Sequence, residues 1–263
     1  MISLRFYKLS IFILMRQVIS LCVWGNSKIY NYGIYENAIR LPKFFPGWIL
    51  AVYHTKTADL EVMRELSKMP NVEVYEVDFP DHYRNSMLRY LAGFDIRNDI
   101  AIFRDADSRF NKRDADAVKD WIDSGKDVHV MRDHPNNGKK YRISAGMWGV
   151  RNNFLIKNNL SEKFANFFSN SNNKTWGIDE KFLFLYVYPL INSNNSRIHS
   201  DFRKWESWAT GFPKNADSRN RGFIGMSITW TPNASKKFNN PLLSHKKKRI
   251  HNSNNNIKNL KII

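Results

Sequence analysis

The chain has 263 residues, of which 41 are lysine or arginine and 24 are aspartate or glutamate, so its formal net charge is +17. Its single cysteine, Cys22, excludes an intrachain disulfide and a zinc site built from cysteines, and fits a reducing compartment better than a secreted one. The charge favours anionic partners such as phosphates, acidic glycans, anionic lipid or nucleic acid, although a generally basic, solvated surface explains it equally well.

The two ends of the chain differ from the part between them. Residues 1–17 include an apolar stretch too short to span a bilayer, and we expect an N-terminal extension, either an additional element or an interfacial anchor. Residues 244–263 hold six basic and no acidic residues and lack a helical or strand period, so a basic disordered tail is expected. The main domain is expected over residues 18–243.

Apolar runs alternate with segments of helical period through the first two thirds of the chain. The predicted strands are 18–24, 48–54, 72–77, 100–103 and 127–131, and the predicted helices are 35–41, 58–68, 86–92 and 114–124. Later segments are a glycine-flanked apolar stretch at 144–149, helices at 154–168 and 177–191, and irregular chain from 192. The alternation predicts an α/β fold with a mostly parallel sheet and helices on both faces.

The strand at 100–103 is followed by two aspartates, Asp105 and Asp107. Side chains at i and i+2 of an extended chain share a face, so the pair can converge on one hard cation. Mg²⁺ or Mn²⁺ prefers such oxygen ligands and keeps positions for water and phosphates. A pair of this kind is often only a turn, but here Arg104 and Arg109 flank it and could clamp a diphosphate. The alternative is an arginine–aspartate surface network.

Other polar clusters also follow predicted strands. Gly25 and Asn26 come after the first strand, and residues 132–134 (Arg-Asp-His) come after the fifth. Ligands of mostly parallel sheets bind beyond the carboxyl ends of the strands, so these clusters predict one site at that rim. Gly146 indicates tight backbone near this site, and Trp148 either stacks on a sugar or fills the core.

Several segments together resemble a family of GT-A-type glycosyltransferases of bacteria and large viruses. The similar stretches lie within residues 18–225 and include ISLCVWGN (19–26), YNYGIYENA (30–38), FRDADSR (103–109), AGMWG (145–149) and GID (177–179). The resemblance implies a GT-A-like fold with a smaller irregular C-terminal acceptor region. The loop at 136–142 departs from the family pattern, which leaves its acceptor contacts open.

The resemblance also implies the metal site. Asp105 and Asp107 match the metal-binding pair of the family, with Mn²⁺ or Mg²⁺ as the cofactor. His199 is the candidate for a third ligand and His245 is its rival; an ordinary loop histidine is the alternative reading for His199.

The remaining roles concern the two substrates. The residues expected to contact the donor are Gly25, Asn26, Arg89, Arg104, Arg109, Gly146 and Trp148. Asp179 matches the position of an acid that faces the acceptor or the reacting sugar. If the reaction inverts configuration, Asp179 or Glu180 would take the proton of the acceptor hydroxyl, and if it retains configuration the acid would orient the sugar.

The expected function is therefore metal-dependent transfer of a sugar from a UDP- or GDP-linked donor to a glycan, glycolipid or other hydroxyl acceptor. We expect a cytoplasmic protein, peripheral at an anionic membrane surface, with no specific nucleic acid. The alternative is a basic nucleic-acid-binding protein without catalysis, for which no motif is found. A phosphatase with an Asp-x-Asp nucleophile would carry that pair on its first strand, whereas three predicted strands precede it here.

Overall fold

The computed structural model describes residues 15–171, 176–213 and 222–228, together with the backbone of residues 257–259. Residues 1–14 of the predicted extension lie outside this part, as does most of the predicted tail, including His245. None of the helices in the described ranges combines the length and the apolar character needed to cross a bilayer.

The strands and helices follow one another in a regular α/β order. The strands are β1 (Gln17–Val23), β2 (Ile49–His54), β3 (Val72–Glu76), β4 (Ile100–Phe103), β5 (Val128–Arg132), β6 (Trp148–Arg151), β7 (Ser196–Ser200) and β8 (Ile257–Asn259). The α-helices are α1 (Lys28–Phe44), α2 (Leu60–Leu66), α3 (Leu91–Phe94), α4 (Lys112–Asp123), α5 (Asn152–Lys157), α6 (Leu160–Asn170) and α7 (Ile178–Phe182). Shorter elements are a 3₁₀ helix at Tyr83–Tyr90, a π-helical turn at Leu183–Val187 and a 3₁₀ turn at Tyr188–Leu190.

All eight strands belong to one sheet, in the order β7-β5-β6-β4-β1-β2-β3-β8. Neighbouring strands are parallel except at β6, which runs antiparallel to both β4 and β5. β1 therefore lies between β2 and β4, and the chain changes the side on which it adds strands at this point. Such a switch point leaves a crevice beyond the carboxyl ends of the two strands, where ligands of α/β proteins bind.

Helices cover both faces of the sheet, because the strands are apolar on both sides. On one face, Ile19 of β1 and Ile102 of β4 belong to a core with α1, α2 and α4. On the other face, Val18 and Phe103 belong to a core with the 3₁₀ helix and with α5, α6 and α7. The predicted α/β class, the mostly parallel sheet and the helices on both faces are confirmed.

The first helix is longer than predicted. Its apolar face, with Ile34 and Leu41, packs on the sheet as expected, but α1 begins at Lys28 and continues through Pro42 to Phe44. The additional first turns contain Asn31 and Gly33, residue types that weaken a helix, and they are held by contacts of the buried Asn31 that no local pattern reveals.

Three predicted segments after residue 140 differ from the structure. The helix expected at 154–168 is divided into α5 and α6 by Asn159, whose φ of 50° is left-handed. The helix expected at 177–191 is α-helical only to Phe182 and ends at the turn that contains Pro189. The region expected to be irregular from residue 192 contains β7, although the described residues after it, 201–213 and 222–228, form no helix or further strand.

A short strand also lies within the segment expected to be a disordered tail. β8 pairs in parallel with β3, with Val74 opposite Ile257 and Glu76 opposite Asn259. A free strand edge offers unpaired backbone groups to any extended segment, so this pairing needs no strand pattern in the sequence.

Candidate active site

A cavity of about 600 Å³ opens at the switch point between β1 and β4. The turn after β1 contributes Gly25 and Asn26, and the turn after β4 contributes Asp105 and Asp107. The rest of the wall comes from the 3₁₀ helix, the loop before β6, the start of α7 and Gly225. The cavity therefore gathers residues from distant parts of the sequence at the predicted rim. Of the three predicted clusters, those after β1 and β4 line it, whereas residues 132–134 after β5 do not, because Arg132 pairs with Glu206 and Asp133 with Arg113.

The turn after β1 is held by a buried asparagine in α1. The side-chain amide of Asn31 donates to the carbonyl oxygens of Gly25 (3.0 Å) and Ser27 (2.9 Å), and its oxygen accepts from the backbone N–H of Asp59 (2.9 Å). Ser27 precedes the 17-residue helix α1, and its side chain accepts no capping hydrogen bond from the backbone N–H groups of the first turn. Ser27 and Tyr30 line the cavity, so the start of α1 lies beside it, where the N-terminus of a helix favours a negatively charged ligand.

The turn after β4 is held against the same helix. A Cβ added at Gly33 of α1 would stand 2.0 Å from the carbonyl oxygen of Ala106, so only glycine allows this contact. Asn37 donates to the carbonyl of Ser108 (2.9 Å) and accepts from the N–H of Phe110 (3.0 Å). The packing of α1 on this turn aims the two aspartates into the cavity.

Arg89 is the central cation of the site. It is buried and forms ion pairs with Asp105 and with Asp179, the latter at 2.6 Å, and it also donates to the carbonyl of Arg104 (3.2 Å). Asp105 follows β4 and Asp179 lies in α7, 74 residues later, so one guanidinium joins two distant segments. Among the described residues that line the cavity, four carboxylates face this single cationic side chain.

Burial, together with the neighbouring carboxylates, raises two pKa values in the cavity. The pKa of Asp107 is raised by burial and by the charge of Asp105. The pKa of Glu180 is raised to about 7, first by burial and then by the charges of Asp179 and Asp105. The contribution of the neighbouring carboxylates to both shifts, and the excess of acids in the lining, favour a cation in the cavity over further negative charge.

Gly146 lies in close contact with Asp105. A Cβ at this position would lie 2.1 Å from Oδ2 of Asp105, so the backbone before β6 presses directly on the carboxylate. The tight backbone that the sequence indicated at Gly146 is present, and its role here is to position Asp105.

Aromatic side chains stand around the mouth of the cavity. Tyr30 and Tyr83 are about half exposed, and Trp176 is 81% exposed at the start of the segment that leads into α7. All three line the cavity together with Trp24. Exposed rings beside a polar pocket are suited to stacking on a nucleobase or on the apolar face of a sugar.

Two arginines expected at the donor phosphates lie elsewhere. Arg104 is fully buried and paired with Asp114 of α4 through two hydrogen bonds of 2.9 and 2.7 Å. Successive side chains alternate across an extended chain, so Arg104 is directed to the α4 face while Asp105 is directed to the cavity. Arg109 donates hydrogen bonds to Glu36 of α1 and to the carbonyl oxygen of Ala106. It therefore stabilises the turn that contains Asp105 and Asp107.

Trp148 and His199 also lie away from the cavity wall. Trp148 is 1% exposed on β6 and packs on Phe103, with ring centroids 4.5 Å apart, so it fills the core. His199 is buried on β7, where its ring nitrogens contact His129 (2.9 Å) and Asp120 (3.0 Å). Two strands separate β7 from β4, which amounts to about 14 Å at the usual strand spacing. The expectation that His199 joins the aspartates as a metal ligand is therefore corrected.

Some residues of the cavity were missed by the sequence reasoning. These are the aromatic residues of the mouth and the supporting residues Gly33, Asn31 and Asn37. A glycine and two asparagines inside a helical segment are an available signal, because these residue types weaken a helix and persist where tertiary contacts need them.

Comparisons with known proteins give distant structural similarity only. No protein-family model matches the chain, and no curated protein sequence matches it. Among solved structures, TarS 1–349 of S. aureus is 17% identical, with a TM-score of 0.47 over 71% of this chain and 58% of that chain. The bifunctional glycosyltransferase WbbM is 16% identical, with a TM-score of 0.45 over 67% of this chain and 38% of that one.

A third similar structure is the galactosyltransferase LgtC in complex with donor and acceptor sugar analogues. It is 12% identical, with a TM-score of 0.42 over 65% of this chain and 70% of that chain. The chain thus spans 58% of TarS 1–349 and 38% of WbbM. With TM-scores below 0.5, these similarities assign no function to this chain, and its function is argued below from the residues of the cavity.

Proposed function

We propose that the protein is a metal-dependent glycosyltransferase that moves a sugar from a nucleoside-diphosphate donor to a hydroxyl group of a glycan or glycolipid acceptor. One observation carries the proposal: Asp105, Asp107, Asp179 and Glu180 line a cavity in which Arg89 is the cationic side chain among the described residues. Such a surface repels a diphosphate unless a cation lies between them. Mg²⁺ is commonly bound in this way, by one or two carboxylates and by the phosphates of the substrate.

Asp105 and Asp107 are the residues that would hold the cation. They offer hard oxygen ligands, and a divalent cation would offset the repulsion that raises the pKa of Asp107. Within the described ranges, no histidine, cysteine or further acid joins the two aspartates as a third ligand. Oxygen atoms of phosphate and water would therefore complete the coordination. When bound, the cation supplies positive charge that stabilises the departing nucleoside diphosphate.

The donor would lie between the start of α1 and the aromatic mouth of the cavity. The N–H groups that follow Ser27 favour phosphate, and the rings of Tyr30, Tyr83 and Trp176 offer surfaces on which the base or the sugar can stack. Arg89, held by Asp105 and Asp179, keeps the acidic side chains in fixed positions while the donor binds.

Glu180 is the better candidate for a general base than its neighbour Asp179. Asp179 is engaged by Arg89, whereas Glu180 lines the cavity with a pKa of about 7, close to the pH at which a base must both accept and release a proton. If the reaction inverts configuration, the carboxylate of Glu180 takes the proton of the acceptor hydroxyl as that oxygen attacks the anomeric carbon. If it retains configuration, the same carboxylate orients the sugar.

A binding experiment tests the proposal. Thermal unfolding is measured with UDP or GDP, each with and without Mn²⁺. We expect one nucleotide to raise the melting temperature by roughly 5 °C when Mn²⁺ is present at saturating concentrations. Asp107→Ala should abolish the rise, and Asp123→Ala, which alters an exposed acid of α4, is the matched control.

Release of UDP or GDP from a panel of nucleotide sugars then tests the reaction itself. Metal-dependent hydrolysis should fall at least about a hundredfold in Asp107→Ala. Equal stabilisation of wild type and Asp107→Ala by nucleotide and Mn²⁺ would contradict the assigned site. Absence of any response to nucleotide and metal would instead favour the nucleic-acid-binding alternative. Association with an anionic membrane stays a prediction, which deletion of residues 244–263 would test.

A further inference from the structure

A basic surface lies next to the cavity, on the loop before β6 and on the irregular chain after β7. Each of its residues has a cationic side chain that forms no ion pair with an acidic residue in the described part of the chain. These residues are Lys139, Lys140, Arg142, Arg203 and Lys204. The three lysines are exposed and the two arginines are half-buried. Among the described residues nearby, Arg132 is paired with Glu206, and Arg113 with Asp133 and Asp201, so within the described ranges these five residues add positive charge that no ion pair offsets.

Trp205 organises the arginines of this surface. The guanidinium carbons of Arg142, Arg132 and Arg203 lie 4.4, 4.8 and 5.5 Å from the centre of its ring. Arg132 is neutralised by Glu206 through two hydrogen bonds of 2.7 and 2.9 Å, and both side chains are buried. Arg142 and Arg203 form no such ion pair with a described acid, and they are positioned by Trp205 and, for Arg203, by a hydrogen bond of 2.8 Å from Nε to the carbonyl oxygen of Pro135.

The basic surface and the cavity share one loop. Asn137 and Ser144 line the cavity, and the N–H of Gly138 donates to the hydroxyl of Ser144 at 2.9 Å. Within the same loop, the carbonyl oxygen of Arg142 accepts from Nε of Arg132 at 2.9 Å. The basic surface is therefore within the reach of a chain molecule that has one end in the cavity.

We propose that this surface binds anionic groups, phosphate or carboxylate, along the acceptor saccharide, an inference that rests on the function proposed above. The cavity itself is acidic and selects against further negative charge, so recognition of an anionic acceptor has to occur outside it. The planar guanidiniums of Arg142 and Arg203 match the paired oxygens of phosphate and carboxylate. The three exposed lysines add charge of the same sign around them.

Equilibrium binding of saccharides to the full chain tests this inference. The probes are a galacturonic acid hexamer, maltohexaose phosphorylated at its 6-positions, and neutral maltohexaose of equal length. We expect both anionic probes to bind at least about tenfold more tightly than the neutral one, with an affinity that falls as ionic strength rises.

Variants then locate the binding site. The double variant Arg142→Gln with Arg203→Gln should weaken binding of the anionic probes about tenfold or more. The double variant Arg142→Lys with Arg203→Lys should recover part of the lost affinity, because lysine keeps the charge but not the planar guanidinium. Lys139→Gln combined with Lys140→Gln alters only exposed side chains and should weaken binding less. Lys43→Gln combined with Lys163→Gln removes the same charge from exposed sites on other helices and should leave binding unchanged.

Equal affinity for charged and neutral probes, or equal losses in the control and the arginine variants, would overturn the inference. Tighter binding of an RNA hexamer through Arg142 and Arg203 would also overturn it, in favour of a nucleic-acid surface. Donor hydrolysis by the unaltered protein is measured in parallel. Selective binding of anionic saccharides without donor hydrolysis would refute the proposed function and leave the basic surface supported as a saccharide site.

Discussion

Arg89 and Arg104 are both buried arginines that pair with aspartates, yet their surroundings are opposite. Arg104 is matched by one partner, Asp114, and the pair is buried in the core behind the sheet. Arg89 is shared between Asp105 and Asp179 and is outnumbered by the carboxylates of the cavity. A matched pair is satisfied by the protein alone, whereas an unmatched cluster is completed by a ligand. The balance of charge therefore separates a structural arginine from one that belongs to a site.

Removal of Arg104 should produce the largest effect on stability. Arg104→Ala leaves the buried carboxylate of Asp114 without its partner, and we expect a loss of about 3–5 kcal/mol in the free energy of unfolding. Urea denaturation measures this loss. The double variant with Asp114→Ala should lose less than the two single variants together, because no charge is then left buried alone. Strictly additive losses would show that the two residues are not coupled.

In the cavity, the pH dependence of the free energy of unfolding should follow the titration of Glu180. The pKa of Glu180 is raised from 4.5 to about 7 in the folded chain, so the folded state binds the proton more tightly than the unfolded state. The free energy of unfolding should therefore fall as the pH rises from 4.5 to about 7, by about 3 kcal/mol from this group. Urea denaturation across this pH range, without added metal, measures the slope.

Glu180→Gln is the matched variant for that measurement. It should flatten the slope and raise stability near pH 7, since the uncharged amide does not repel Asp179 and Asp105. An unchanged slope in Glu180→Gln would assign the pH dependence to other groups and would remove the support for Glu180 as a base.

The smallest expected effect concerns the aromatic mouth of the cavity. Trp176→Ala should weaken binding of the nucleotide with Mn²⁺ about tenfold, because a stacked base loses about 1–3 kcal/mol when its aromatic partner is truncated. Stability should be nearly unchanged, since Trp176 is 81% exposed. Ile96→Ala, at a residue 85% exposed, is the control. Titration of the nucleotide gives both affinities, and equal affinity of wild type and Trp176→Ala would exclude stacking on this ring.

The elements with local apolar patterns were predicted well. The strand at 100–103 has the bounds of β4, and the expected strand at 72–77 differs from β3 by one residue. The prediction was poorer where contacts between residues far apart in sequence determine the backbone conformation. The first turns of α1 depend on the contacts of the buried Asn31, and β6 and β7 depend on the neighbouring strands that hold them in the sheet.

The residues of the candidate site were likewise predicted well where the signal is local and poorly where distant contacts decide. Asp105 and Asp107 could be selected from sequence because they follow a strand at a fixed spacing. Arg104 and His199 could not be assigned in the same way, because their side chains are directed into the core and their partners, Asp114 and Asp120, lie in α4. Nothing in the local sequence around either residue distinguishes a ligand from a partner in the core.

The sequence by itself determined the alternating strands and helices, the aspartate pair after the fourth strand and the excess of positive charge. Those properties depend on neighbouring residues and on composition, which a linear chain displays directly. The tertiary structure alone decided which acids share Arg89, which arginines are neutralised, and where Arg142 and Arg203 come to lie beside the cavity. Electrostatic balance depends on distances between residues far apart in sequence, and folding sets those distances.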